Sequence, residues 1–279
     1  MKQRYITIPE NWDELTPDDW RELLKMRHKM VKKGLKLSLD DVRIESARML
    51  LQHRGVKVQL DNQQYLVLLS MLARSLTWLW QEVDDGISLA YRSLENKIPT
   101  IRGWLGPSDY GEDITFGEFR QAVAHLRVWE QTQNPQALQA LAGLLYRPEA
   151  SKEQKHRQQL RRQPYDWDSV DDKIARGRKM QPWQLWGIYA WFVYFCEYLT
   201  TGTFVIDGVE VCFSPIFQTS NSQKKESSSS SLQQICLTLA ESHVFGTARG
   251  VDNTQLLVVM QKLLQDYEQL MRIKKQTKI

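Results

Sequence analysis

The sequence predicts a mainly α-helical protein with one small β-hairpin and a tethered C-terminal helical segment. Three observations carry that prediction. Apolar residues recur at three- and four-residue spacing along most of the chain. Helix-opening patterns stand just before those runs, as at Thr16-Pro17-Asp18-Asp19, Ser38-Leu39-Asp40-Asp41 and Thr115-Phe116-Gly117-Glu118. One stretch, Thr203–Phe213, has β-rich arms around Asp207-Gly208, which suits a type I′ turn.

The elements follow in order. Arg4–Pro9 alternates as a short strand would. Thr16 can cap a first helix, Pro17 suits its first position, and the acids face the positive end of the helix dipole. That helix runs to about Lys33, where Lys32, Lys33 and Gly34 form a stop. A second helix opens at Ser38 and ends near Arg54-Gly55. A third opens at Asp61-Asn62 and is expected to reach Trp80, because Tyr65, Leu66, Leu68, Leu69, Leu72, Ala73, Leu76, Leu79 and Trp80 keep helical spacing. Residues 83–114 carry turn signals, with at most a short piece of structure near Leu89–Leu94. Thr115 to Glu118 reads as a capping box ahead of a helix with Phe119, Ala122, Val123, Leu126 and Trp129 on one face. Asn134-Pro135 opens the next helix, which stops at Arg147-Pro148. A short helix begins near Asp168, and Pro182 opens an aromatic one that runs to about Leu199.

That aromatic helix contains Trp183, Trp186, Tyr189, Trp191, Phe192, Tyr194, Phe195 and Tyr198. A membrane span needs roughly 20 predominantly apolar residues, and Gln184, Gly187 and Glu197 interrupt this one. A helix apolar almost all round is usually central to a globular domain, so Trp183, Trp186, Tyr189, Trp191, Phe192, Phe195 and Leu199 are read as its organising side chains. Gln218–Ser231, with its run of serines, reads as a flexible linker. The expected division is therefore a helical domain over 1–217 containing the hairpin 203–213, the linker 218–231, and a helical segment over 232–279. The last helix, from about Asn253 to Lys275, has its apolar residues at helical spacing.

Composition narrows the function. The chain has 279 residues, 42% hydrophobic and 25% charged, which is ordinary for a soluble globular protein. A net charge of +4 permits acidic partners without requiring nucleic acid. The opening residues lack the apolar core of a signal peptide. Three cysteines, Cys196, Cys212 and Cys236, have no metal or redox spacing and read as reduced thiols. The five histidines are scattered, with no pair at the spacing of a metal-binding helix. Paired acids at Asp18-Asp19, Asp40-Asp41 and Asp171-Asp172 are explained by helix capping; Asp84-Asp85 sits among turn signals. No phosphate-binding glycine loop and no nucleophile elbow is present. The residues therefore predict no catalytic site, no metal and no cofactor, and a protein that is not an enzyme, with a two-metal or acid–base enzyme kept as a third class only because the paired acids exist.

Two binding surfaces remain as candidates. The closing helix places Leu256, Met260, Leu263, Tyr267 and Leu270 on one stripe, which can pack on its own domain or enter a partner's groove. The basic stretch with Lys152, Lys155, Arg157, Arg161 and Arg162, followed by Trp167, can alternatively supply phosphate contacts and stacking to a nucleic acid.

Three pieces carry a family resemblance. They are Ile114-Thr115-Phe116-Gly117-Glu118-Phe119, then Leu141-Ala142-Gly143-Leu144-Leu145-Tyr146-Arg147-Pro148, then Leu239-Ala240-Glu241-Ser242-His243-Val244-Phe245-Gly246-Thr247. Their order resembles tail-assembly chaperones and related proteins of tailed phages and prophages, over about residues 114–270. The resemblance implies a non-enzymatic assembly factor or minor tail component that binds other tail proteins. It implies a location in the host cytoplasm during assembly, or in the virion. It supplies no catalytic residue and no cofactor.

Overall fold

The computed structural model describes residues 6–35, 37–57, 59, 61–83, 86–158, 160–218, 235, 237–241 and 244–277. Among these, helix dominates and the strands form three two-stranded antiparallel sheets. The chain divides into two compact units: residues 1–98 with 181–191, and residues 99–180 with 192–279. The sequence expectation placed the division at the serine run instead, and that run lies outside the described residues.

The first unit is built on α1 (Pro17–Lys33), α2 (Leu39–His53) and α3 (Gln63–Ser75). Full capping boxes form at Thr16/Asp19 and Ser38/Asp41, so each acid closes the turn that the sequence assigned to it. Asn62 caps α3 through the backbone N–H groups of Gln64 and Tyr65. The third helix is shorter than its periodicity predicts. It ends at Ser75, tightens into a single 3₁₀ turn at Leu76–Trp78, and gives way to β1 (Trp80–Val83), which pairs with β2 (Gly86–Leu89). The apolar spacing continues through that change because both geometries bury Leu76, Leu79 and Trp80 in one core. The Trp80 indole N–H donates to Ser46 Oγ at 2.8 Å, and that hydroxyl donates to the Val42 carbonyl. This satisfies the indole's one polar group inside the core. Trp12 packs edge-on against Trp20 and Trp78, and Tyr91 completes the cluster. Residues 6–9 are irregular, so no strand forms in the described part of Arg4–Pro9.

The second unit contains the hairpin β3 (Thr100–Ile101) and β4 (Trp104–Leu105), then α4 (Phe116–Thr132), α5 (Pro135–Leu145), α6 (Lys152–Gln158) and α7 (Val170–Arg178). Helices α5 and α7 meet backbone to backbone. A Cβ on Gly143 would stand 1.9 Å from the Lys173 carbonyl oxygen, and one on Gly177 would stand 2.0 Å from that of Gln139. The predicted hairpin forms as β5 (Thr203–Ile206) and β6 (Val209–Cys212), with Asp207 and Gly208 both at positive φ as a type I′ turn requires. Short helices α9 (Ser214–Gln218) and α10 (Ala248–Asn253) precede α11 (Leu256–Thr277). The closing helix expected from about Asn253 to Lys275 forms as α11, and α10 is a separate short helix before it. The break lies at Thr254-Gln255, where the Phe116 N–H donates to the Thr254 carbonyl and the Leu256 N–H to that of Ile114. Those bonds hold the start of α11 within the second unit.

The aromatic helix α8 (Pro182–Thr201) serves both units. In the first, Trp191 is buried and its indole donates to the Leu94 carbonyl at 3.1 Å. In the second, Phe192, Phe195 and Leu199 are buried, and Phe119 lies against both phenylalanines. Trp183 and Trp186 are only half-buried. The Lys25 ammonium lies over the Trp183 ring, and the Arg27 guanidinium stacks on Trp186 at 3.7 Å from its centroid. Among the described residues, no helix is long and apolar enough to cross a membrane.

Candidate functional site

The basic strip is where sequence and structure part most clearly. Arg162 is not presented to solvent. Its side chain is 1% exposed and reaches both Asp113, at 3.0 Å, and Glu118, at 3.0 Å. Arg161 also pairs with Asp113 and bonds the Gly106 carbonyl. Lys155 pairs with Glu149. Lys152 is exposed, while the side chains of Arg157 and Trp167 lie outside the described residues. The phosphate-binding role expected of Arg162 is therefore corrected: its charge is spent inside the fold, while Arg161, 39% exposed, is paired with Asp113 at the surface. Burial of the acids is the reason. Asp113 lies in the loop just before α4 with its side chain 22% exposed, and Glu118 in the first turn of α4 is fully buried. A buried carboxylate needs a charged partner close by.

Arg147 completes this cluster. It follows α5, and its backbone pairs with Leu105 through two hydrogen bonds. Its Nη2 donates to Glu118 at 3.0 Å, while Nε and Nη1 have no partner among the described residues. Burial pushes the Arg147 guanidinium down to about 10, against the pull of Glu118. For Asp113, burial raises the carboxyl, but Arg162, the Ser108 N–H and Arg161 together hold it below the usual range. Glu118 was expected to close a capping box. Thr115 does accept the Glu118 N–H, but the glutamate side chain turns inward to the arginines. Nearby, Lys173 donates to Gln121, and Arg176 to the Gly143 carbonyl and Asp168. The cluster fastens the segment 147–162 to α4. It has acids, bases and burial, and each carboxylate is held by a guanidinium. Among the described residues, no group of three His, Cys, Asp or Glu side chains could hold a metal ion.

The closing helix behaves differently along its length. Leu256 is fully buried and Met260 nearly so. The expectation that these two face a partner is corrected: they fill the core of the second unit, with Val259 beside them. Leu263 and Tyr267 are half-buried. Leu270 is 55% exposed, and beyond it Met271 and Ile273 are exposed as well. One apolar stripe thus leaves the core and continues into solvent. From Glu268 to Gln276 every residue is exposed, a length of about 14 Å at 1.5 Å per residue. Arg272, Lys274 and Lys275 flank the exposed part, with Arg272 near Glu268 at 3.9 Å. Ile273 was not singled out from sequence. The spacing that marks Leu270 already includes Met271.

A second exposed apolar face went unread: Leu66, Val67, Leu68 and Met71 on α3. Its signal was an apolar content greater than one face can absorb. No protein-family model, curated protein or solved structure matches the chain. What the fold and its surfaces define is a mainly helical, two-unit protein with apolar helix faces in contact with solvent.

Proposed function

We propose that this chain is a non-enzymatic assembly factor or minor structural component of a phage or prophage tail, acting through protein–protein contacts made by the exposed end of α11. The observation that carries the reading is the stripe that runs from Leu256 in the core to Leu270, Met271 and Ile273 in solvent. Its buried half fixes the helix, and its exposed half offers an apolar ridge with a basic rim. Such a ridge suits a hydrophobic groove edged by acids. The order of sequence pieces over 114–270 supplies the tail-assembly context. The nucleic-acid alternative is not advanced, because Arg161 and Arg162 are engaged with Asp113 and Glu118.

The test is co-purification of the full chain with the tail-tube and tape-measure proteins encoded in the same genome. The expected result is a complex that survives high salt and is lost in the Leu270→Asp, Ile273→Asp double variant. Binding that is unchanged in that variant would remove α11 from the contact. Genome neighbours devoted to replication or packaging, with none for the tail, would remove the assembly role.

A further inference from the structure

Helix α3 is apolar beyond what its own unit uses. Tyr65, Leu69, Leu72 and Ala73 are buried, while Val67 is 53% and Met71 66% exposed. At 3.6 residues per turn, Val67 and Met71 lie at the centre of the outward face, with Leu66 and Leu68 on its two flanks. Between Asn62 and Ala73 the sequence has no charged residue. Charges stand at the two ends. Asp61 precedes the cap and Arg74 lies in the last turn; both are exposed, and neither has an ion-pair partner among the described residues. The helix covers about 17 Å from Gln63 to Arg74 at 1.5 Å per residue, and Asp61 lies just before it.

We propose that this face binds a second copy of the chain, the two α3 helices packing antiparallel about a twofold axis. The charge pattern selects that partner and that direction. In an antiparallel register with Val67 opposite Leu68, Asp61 of each copy stands beside Arg74 of the other. The twofold axis then makes the pair twice. A parallel arrangement would set Asp61 against Asp61 and Arg74 against Arg74. The uncharged middle brings no repulsion to self-association, and Val67 and Met71 lose water on both sides. One helix face of this length covers less than the roughly 800 Å² per partner of a standard interface. The dimer is therefore a weak one, with a dissociation constant on the order of micromolar or above.

The experiment is sedimentation equilibrium of the full chain from about 1 to about 200 µM, a range that brackets such a constant. A reversible monomer–dimer equilibrium is expected, with Met71→Glu raising the dissociation constant at least about tenfold. The decisive arm mixes two variants. Asp61→Arg and Arg74→Asp each place like charges together in their own dimers, so each alone self-associates more weakly than the native chain. Mixed, they restore both opposite-charge pairs and form a heterodimer tighter than either homodimer. Circular dichroism melting checks that the variants fold. If Met71→Glu does not fold, the exposed charge variants still decide the matter. A native chain that is monomeric throughout the range overturns the proposal. So does a dimer indifferent to these substitutions, or a mixture that gains nothing. Loss of another protein's binding from a monomeric chain on altering α3 would assign the face to that protein instead. The Leu270→Asp, Ile273→Asp variant should self-associate as the native chain does, which keeps this test separate from that of α11.

Discussion

Replacing Glu118 by Gln keeps its shape and removes one buried negative charge. The native carboxylate accepts from Arg147 Nη2 at 3.0 Å and from Arg162 Nη1 and Nη2 at 3.0 and 3.3 Å. After the change, Arg162 keeps Asp113 at 3.0 Å, but Arg147 loses its one carboxylate partner among the described residues. The Arg147 side chain is 5% exposed, so water offers little compensation. Leaving one member of a buried pair uncompensated costs about 3–5 kcal/mol. For a unit of this size that lowers Tm by roughly 6–20 °C, at about 2–4 °C per kcal/mol. The assay is urea denaturation followed by circular dichroism, with the slope compared so that a change in midpoint reads as stability. Adding Arg147→Met removes the stranded charge. The double variant should therefore be more stable than the sum of the two single losses by more than about 1 kcal/mol. A Glu118→Gln loss below about 1 kcal/mol, or strictly additive behaviour, would refute the view that these charges hold the segment 147–162 to α4.

Other expectations follow from named contacts. Gly143→Ala sets a methyl against the Lys173 carbonyl at 1.9 Å, and should cost about 1–3 kcal/mol or more in the same denaturation assay, whereas an alanine at exposed Gln136 should not. Asp113 and Asp19 both titrate below their ordinary value: burial raises each, but Arg162 and Ser108 for the first, and Arg54 and His53 for the second, outweigh it. A depressed carboxyl contributes stability above its unfolded pKa of about 3.9 and loses it as pH falls through the folded value. The urea midpoint should therefore fall on acidification below about pH 4, and less steeply in Asp113→Asn, which starts lower at pH 7. Burial pushes the Cys196 thiol up, while hydrogen bonds with Ser214 pull Cys212 down. In a Cys236→Ser background, native protein should react with a disulfide reagent first at Cys212. A fast phase that persists after Cys212→Ser would contradict this.

Much of the local structure was legible before any coordinates. Thr16, Ser38, Asn62 and Thr115 each cap the helix they announced, because capping depends on residues within one turn. Asp207-Gly208 gave the hairpin for the same local reason. What failed was wherever a distant segment intervened. The β1–β2 pair took Trp80 from the third helix. Asp113 and Glu118 claimed two arginines that looked free in a basic run.

By itself, then, the sequence determined the helical class, the caps, the turn at Asp207 and the apolar stripe of the closing helix, all set by neighbours along the chain. Only the tertiary structure decided which part of each stripe is covered. Periodicity says that Leu256 and Leu270 share a face, but not that one is buried and the other open to solvent. That difference depends on how far the second unit reaches along α11. Likewise, the charge of Arg162 is a property of its residue, while its availability depends on whether a buried carboxylate needs it.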